Sequence, residues 1–208
     1  MRIIIADDHA IVRRGLQQII ATRAGWHVVG EAASGDELLD LVRRTVADVL
    51  VLDVSLGDRS GIDLLAPIRE QHPTLPILML SMYAEEHYAI RSLRAGASGY
   101  IQKDRPPEEL LDAIERVFAG RKHVSDAVME QMAATILGAN PEHPHEQLSA
   151  REFQVFSLIA AGHSISEIAD IIHVSVKTVS TYRTRILEKT GFRTNADIIA
   201  YAIRNGLM

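Results

Sequence analysis

Cysteine is absent from this chain of 208 residues, which excludes both a disulfide framework and a thiolate metal site. Long apolar stretches are also missing, since no run approaches the roughly 18 residues that a membrane span needs. The first residues reach Asp7 and Asp8 too early for a secretory signal. These absences predict a cytoplasmic protein with no membrane partner.

The chain has fewer basic than acidic residues, with 22 Lys and Arg against 27 Asp and Glu, so its net charge is −5. That balance alone argues against nucleic acid binding. The charges are unevenly distributed, however. Residues 1–123 carry 15 basic and 18 acidic side chains, residues 124–147 carry none and 4, and residues 148–208 carry 7 and 5. The C-terminal part is therefore mildly basic, which permits a DNA partner without establishing one.

Short apolar runs alternate with amphipathic stretches over the first 120 residues. Strands are predicted at Arg2–Ala6, 27–31, Val49–Asp53, Ile77–Ser81 and Gly99–Gln102. Helices are predicted between and after them, at about residues 10–22, 35–46, 61–72, 84–96 and 106–119. Five such strand–helix units predict an α/β fold, with a doubly wound, five-stranded parallel sheet and helices on both of its faces.

A polar connector and an all-helical segment complete the chain. The predicted linker spans residues 121–147, with a short helix over 126–137 and a proline-containing break over 138–147. From Leu148 onward no strand pattern is visible, and helices fit residues 149–161, 164–172, 175–189 and 194–205. Ser149 and Glu152 have the spacing of a capping box. The chain therefore divides into a first domain over 1–120 and a smaller, all-α second domain over 148–208.

Chemically active side chains stand at the ends of four predicted strands. They are Asp7 and Asp8 after the first strand, Asp53 at the end of the third, Ser81 at the end of the fourth and Lys103 after the fifth. Ligands bind at the carboxyl ends of the strands in such a sheet, so we expect these residues to converge. Clustered carboxylates need a cation between them, and oxygen ligands favour Mg²⁺. Asp53 is then the expected nucleophile that forms an acyl phosphate, with Ser81 and Lys103 binding the phosphate oxygens.

In this order and spacing, the five residues resemble the receiver domain of two-component response regulators, and the resemblance spans residues 1–120. It implies that Asp53 accepts a phosphoryl group from a partner histidine kinase. It also implies that the Ser55 backbone carbonyl is a Mg²⁺ ligand together with the three aspartates. Tyr100 matches an aromatic switch that turns inward when Ser81 moves toward the phosphate. The pair Lys103-Asp104, where many receivers have proline after the lysine, resembles the NarL/FixJ subgroup.

The C-terminal segment has a helix-turn-helix pattern, in which a turn at residues 173–175 leads into a long helix. One stripe of that helix is expected to pack inward, with Arg183 at its edge: Val176, Val179, Tyr182, Arg183 and Ile186. The opposite stripe is polar and basic: Lys177, Ser180, Thr181 and Thr184. A short polar face of this kind suits the major groove of DNA.

Residues 148–208 resemble the LuxR-type DNA-binding domain through the stretches LSAREFQVF and SISEIADIIHVSVKTVSTYRTRILEKTG. The resemblance implies that the helix beginning near Ser175 is the recognition helix. The candidates for reading bases are Ser180, Thr181 and Thr184. The candidates for phosphate or positioning contacts are Lys177, Thr178, Arg183 and Arg185. The helix at 194–205 is implied to mediate dimer contacts, which predicts an inverted-repeat operator. Some relatives have lysine at positions 180 and 184, so water, methyl contacts or DNA shape are expected to contribute to promoter choice.

Both resemblances together predict a response regulator transcription factor, in which phosphorylation controls homodimerisation and binding to double-stranded promoter DNA. RNA polymerase is a further candidate partner. No enzyme activity is expected beyond self-phosphorylation and slow autodephosphorylation.

Two alternatives stay open. A phosphatase of the haloacid dehalogenase kind needs an acid two residues after the nucleophile, where Ser55 stands. A binding module would engage another regulator instead of DNA, or act without phosphate.

Overall fold

The computed structural model describes residues 1–57, 59–82, 85–136 and 143–207. The chain divides into two compact units, Met1–Leu137 and Gly138–Met208. The first unit is built around a parallel sheet, and the second is helical. Across the described ranges, no helix combines the length and the apolar character that a membrane crossing requires. The α/β first domain and the smaller helical second domain are thus as the sequence predicts.

The described residues of the first unit form seven strands: β1 (Arg2–Ala6), β2 (His27–Ala32), β3 (Val49–Asp53), β4 (Ser55–Leu56), β5 (Arg59–Ser60), β6 (Ile77–Ser81) and β7 (Gly99–Gln102). Five of them form one sheet in the order β2-β1-β3-β6-β7, with every neighbouring pair parallel. All residues of β3 and β6 are buried, as expected for central strands covered on both faces. The carboxyl ends of β1, β3 and β6 therefore meet at one edge of the sheet.

The helices of the first unit are α1 (Ala10–Ala21), α2 (Gly35–Arg44), α3 (Gly61–Gln71), α4 (Glu85–Arg94), α5 (Pro107–Phe118) and α6 (Asp126–Ile136). α1 and α5 cover one face of the sheet, where Leu16 and Ile114 join Ile3 and Val51 in a single apolar cluster. Alternate strand residues point to the opposite face, and Leu52 there is also fully buried. The two faces thus supply a core that fixes the strand ends.

Two features of the first unit depart from the sequence prediction. β4 and β5 form a two-residue antiparallel hairpin, which is too short to show any periodicity. Residues 121–125, which we call the strap, were predicted as part of a polar linker. The strap instead runs along the outer edge of β7, where His123 forms a parallel bridge with Gly99. The following helix α6 packs against α4 and buries Val128, so it belongs to the first unit.

The second unit contains a short 3-10 helix (Pro144–Gln147), then α7 (Ala150–Ala160), α8 (Ile165–Ile171), α9 (Val176–Thr190) and α10 (Asn195–Arg204). The predicted capping box of Ser149 and Glu152 is present at the start of α7. α9 ends at Gly191, which takes a left-handed conformation with φ of 74°. Within the predicted break at 138–147, residues 138–142 lie outside the described residues, His143 is extended, and the 3-10 helix follows it.

Candidate functional site

Three charged residues from the ends of β1, β3 and β7 meet in the first unit. Lys103 Nζ lies 2.7 Å from Asp53 Oδ2 and 2.7 Å from Asp7 Oδ2. The side chain of Asp7 is fully buried, and that of Asp53 is only 3% exposed. The sheet topology therefore brings into contact residues that are far apart in the sequence. One lysine neutralises part of the charge of two buried carboxylates.

Backbone N–H groups hold one oxygen of each carboxylate in this cluster. The three donors are the amides of His9 to Asp7 Oδ1 (2.8 Å), Gly57 to Asp8 Oδ2 (3.2 Å) and Ser55 to Asp53 Oδ1 (3.1 Å). Each donor lies one to three residues after the end of a strand, namely β1 for His9, β3 for Ser55 and β4 for Gly57. The backbone thus fixes the orientation of the acidic side chains.

The remaining carboxylate oxygens fit a divalent cation. Asp7 Oδ2 lies 2.7 Å from Lys103 Nζ, and Asp8 Oδ1 lies 2.7 Å from His9 Nδ1, so both oxygens already face a nitrogen that can carry positive charge. One ligand atom from each of Asp7, Asp8, His9 and Asp53 lies within 4.8 Å of the other three. Hard carboxylate oxygens at this spacing suit Mg²⁺, which also keeps several water ligands. The acidic cluster therefore brings together the three carboxylates of the predicted metal site.

Burial raises the pKa of Asp53, Lys103 lowers it and the charge of Asp7 raises it, and the net result is a pKa of about 7. Burial alone lowers the pKa of Lys103, but its contacts with Asp53 and Asp7 outweigh burial, so the pKa is raised. Lys103 consequently stays charged at neutral pH. Lys103 lowers the pKa of Asp53, and a divalent cation bound at the cluster would lower it further, which favours the ionised, nucleophilic carboxylate.

Ser81, Ser55 and Tyr100 surround the charged cluster. Ser81 ends β6, is fully buried, and accepts a 2.7 Å hydrogen bond from the Lys103 N–H at its backbone carbonyl. Ser55 contacts Asp53 through its amide, whereas the metal-ligand role of its carbonyl stays a prediction. Tyr100 is 1% exposed in the middle of β7, so the structure holds it in an inward position. Its movement as a switch also stays a prediction.

Two further residues support the site, and neither was predicted from the sequence. A Cβ on Gly61 would lie 2.0 Å from the backbone oxygen of Asp53, so only glycine fits there. Arg13 donates a 2.7 Å hydrogen bond to the Asp7 carbonyl and anchors the end of β1 to α1. Gly61 follows the N-cap Ser60, a pattern that indicates a helix start but not a close approach to Asp53. No sequence signal identifies Arg13, because its contact depends on how α1 packs.

In the second unit, the candidate DNA face lies on α9. Five of the seven candidate residues are exposed, namely Lys177, Ser180, Thr181, Thr184 and Arg185. The three base-reading candidates each donate a hydroxyl hydrogen bond to the carbonyl four residues earlier: Ser180 at 2.9 Å, Thr181 at 3.0 Å and Thr184 at 3.1 Å. The hydroxyl oxygens keep lone pairs on the exposed face. Thr178 is half-buried and its hydroxyl contacts that of Ser175 at 2.8 Å.

The predicted inward stripe of α9 is not buried along its whole length. The prediction that Val176 packs inward is wrong, because its side chain is 49% exposed. Val176 is the first residue of α9, and the buried face begins one turn later at Val179, where α9 meets α7 and α8. Arg183 is half-buried, and its Nε donates a 2.6 Å hydrogen bond to Asn195 Oδ1. Arg183 thus links α9 to α10, and its contact with DNA phosphate stays a prediction.

Comparison with known proteins gives matches along both units. Residues 3–115 match the family described as response regulator receiver domain, and residues 146–202 match the bacterial regulatory proteins of the luxR family. Response regulator GacA of Pseudomonas aeruginosa is 32% identical over 209 residues, which cover 100% of this chain and 98% of GacA. Oxygen regulatory protein NreC of Staphylococcus aureus is 36% identical over 215 residues, which cover 100% of this chain and 99% of NreC.

A solved structure of RcsB from Salmonella enterica serovar Typhimurium is also similar to this chain. It has a TM-score of 0.62 and 28% identity, with 97% of each chain covered. That RcsB structure is bound to promoter P1flhDC in the presence of the phosphomimetic BeF3⁻.

Proposed function

The chain belongs to the response regulators that join a receiver domain to a LuxR-type DNA-binding domain, and on that premise we propose that phosphorylation of Asp53 controls its binding to promoter DNA. The observation that carries the proposal is the contact of Lys103 with both Asp53 and Asp7, at 2.7 Å each. That contact places a permanent positive charge beside a buried carboxylate at the edge where a phosphoryl group can enter.

The donor of the phosphoryl group is proposed to be a phosphohistidine of a partner kinase. A carboxylate oxygen of Asp53 forms the new bond to phosphorus, and the bond between phosphorus and the histidine nitrogen breaks. The electron pair of that bond stays on the histidine nitrogen, which then takes a proton. When bound to Asp7, Asp8, Asp53 and the Ser55 carbonyl, Mg²⁺ supplies charge neutralisation for the transferred group.

Lys103 is proposed to change partner during this reaction. Before phosphorylation it pairs with Asp53 Oδ2 and Asp7 Oδ2. The acyl phosphate adds about −1.5 to −2 charges at one point, which attracts the Lys103 ammonium group to a phosphoryl oxygen. The Ser81 hydroxyl donates a hydrogen bond to another phosphoryl oxygen. Tyr100 and α4 then adjust to the new position of Ser81, which is how the site signals its state.

The phosphorylated form is proposed to bind double-stranded DNA as a homodimer. α10 supplies the dimer contacts, α9 enters the major groove, and the two-fold symmetry calls for an inverted-repeat operator. We propose a cytoplasmic protein without turnover of an external substrate, because Ser55 stands where a phosphatase of this chemistry needs its acid. RNA polymerase is the further partner through which a bound dimer would change transcription.

Selection from random DNA fragments provides the operator needed for the test. Binding of the selected fragment is measured with acetyl phosphate and Mg²⁺ for wild type, for Asp53→Asn and for Asp40→Asn, an exposed aspartate of α2. We expect phosphodonor to tighten binding at least tenfold for wild type and Asp40→Asn, and not for Asp53→Asn. Equal tightening of Asp53→Asn would show that control by phosphate at this residue is wrong.

A further inference from the structure

A cavity of about 290 Å³ lies in the first unit, at the edge of the sheet opposite to the acidic cluster. Its wall includes Pro76, which precedes β6, and Ser98, which precedes β7, so it lies at the amino ends of these strands. Arg69, Arg121 and Lys122 also line it, and no described residue in its wall is acidic. This cavity, which we call the basic cavity, therefore holds positive charge that no carboxylate of its own wall neutralises.

Backbone carbonyls hold the guanidinium group of Arg69 in a fixed orientation at this cavity. Its Nε donates a 2.8 Å hydrogen bond to Gly96 O, and its Nη1 donates one to Leu75 O. Nη1 also donates a 3.3 Å hydrogen bond to Pro73 O. Nη2 donates no hydrogen bond to any residue that the structure describes. Its two N–H groups are therefore available to a ligand.

Lys122 reaches the same cavity from the strap. Its ammonium group donates a 2.7 Å hydrogen bond to Ala97 O, which uses one of its three N–H donors. Loss of water contacts lowers the pKa of Arg69 and of Lys122, and the charge of Arg69 lowers the pKa of Lys122 further. The two cations thus contact neutral carbonyls and repel each other, a charge distribution that a bound anion would stabilise.

We infer that the basic cavity is a binding site for a phosphate group, either as inorganic phosphate or as a small phosphomonoester. A phosphate dianion offers several acceptor oxygens to the N–H groups that Arg69 and Lys122 leave available, and Arg121 adds a third positive charge. The cavity volume is close to the lower limit of about 300 Å³ for small-molecule sites. A phosphate group with a small organic substituent therefore fits, and the site is separate from Asp53 and goes beyond the proposed function.

A residue-resolved NMR titration of the full chain tests this inference. Sodium phosphate and glycerol phosphate are added in separate experiments at about pH 8, where the phosphate group is a dianion. Mg²⁺ is left out so that the acidic cluster does not recruit the anion, and sodium chloride keeps the ionic strength constant. We expect saturable shifts of the Ser98 and Lys122 amides, and the ligand with the higher affinity identifies the source of the phosphate group.

Sodium acetate, titrated in the same way, separates a phosphate site from general attraction of anions. We expect acetate to bind at least tenfold more weakly than the better phosphate ligand, because it has fewer acceptor oxygens and a smaller charge. Equal affinity for acetate, or shifts that do not saturate with either phosphate ligand, would overturn the inference. Because no phosphodonor is present, that result would leave the proposed function standing.

Three substitutions that each remove one positive charge locate the site. Lys122→Gln is expected to weaken binding of the better ligand at least tenfold, and Arg121→Gln at least threefold. Arg14→Gln makes the same change at an exposed arginine of α1 outside the cavity, and its affinity should stay within twofold of wild type. Arg69 is kept, because its bonds to carbonyls also support the fold. If one cavity variant does not fold, the other decides. Equal weakening by Arg14→Gln and the folded cavity variants would contradict the inference.

Discussion

Lys189 Nζ lies 2.6 Å from Glu152 Oε2, and this ion pair ties the last turn of α9 to the first turn of α7. The same carboxylate oxygen accepts a 2.8 Å hydrogen bond from the Ser149 N–H, which closes the capping box. Burial acts to raise the pKa of Glu152, but the contacts with Lys189 and Ser149 outweigh it, so the pKa lies below its usual value. The orientation of α9 therefore depends on a carboxylate that is not on that helix.

Replacing this carboxylate should destabilise the helical domain. Glu152→Gln keeps the shape but loses the charge, and we expect it to lower the free energy of unfolding by about 2 kcal/mol, the usual size for a hydrogen bond to a charged group. Urea denaturation followed by circular dichroism measures the change. Glu188→Gln, an exposed position on α9, serves as the control and should stay within about 0.5 kcal/mol of wild type.

Acid should remove the contribution of Glu152. Because its pKa is lower in the folded state than the usual 4.5, the stabilisation is fully present above that pH and is lost as the pH falls through the folded-state pKa. The difference in unfolding free energy between wild type and Glu152→Gln should therefore be constant from neutral pH down to about pH 5. A difference that grew below that pH would contradict the assigned direction of the shift.

Two substitutions should move the pKa of Asp53 in opposite directions. Lys103→Met removes the charge that lowers this pKa, so the pKa should rise above its value of about 7. Asp7→Asn removes a charge that raises it, so the pKa should fall. NMR of the carboxyl carbon, titrated in the absence of divalent cations, measures both. Shifts of the same sign would show that charge interactions do not govern the titration.

The glycine at the start of α3 should tolerate no side chain. Gly61→Ala places a Cβ against the Asp53 carbonyl, a backbone atom that cannot move aside, and we expect a loss of about 1–3 kcal/mol in unfolding free energy. Gly15→Ala in the open part of α1 should instead stabilise the chain slightly, by up to about 1 kcal/mol. Thermal denaturation of both variants checks the contrast. Equal stabilities would mean that Gly61 does not approach Asp53 in solution.

Phosphate contacts and base contacts on α9 should be separable by their salt dependence. Lys177→Ala is expected to weaken binding to all DNA sequences alike and to reduce the slope of log affinity against log salt by about 1. Thr184→Val, which keeps the shape and loses the hydroxyl, should leave the slope unchanged and relax the preference at one base pair. Titrations of the selected operator and of point variants in two salt concentrations measure both effects. A reduced slope for Thr184→Val would assign that residue to the backbone.

The sheet was predictable because most of its strands are short, nearly continuous apolar runs in the sequence. The acidic cluster was predictable once the strands had been placed in a parallel sheet. Once Asp7, Asp53 and Lys103 are placed at the ends of parallel strands, topology brings them to one edge. The exposed position of Val176 was not predictable in the same way, because helical periodicity does not state where the packing of a helix begins. The path of the strap could not be predicted from the sequence either. Its attachment uses backbone atoms of His123 and Ser125, and such bonds leave no pattern in side-chain chemistry.

β7 is an outermost strand of the sheet, and the strap shields its outer side at Gly99 and Tyr100. Unpaired groups on a strand of this kind invite pairing with another polypeptide. With the strap in place, the Tyr100 amide is hydrogen-bonded within the chain to His123 O. The outer side of β7 therefore offers fewer free backbone groups to a second polypeptide, and a short segment protects this strand from aggregation.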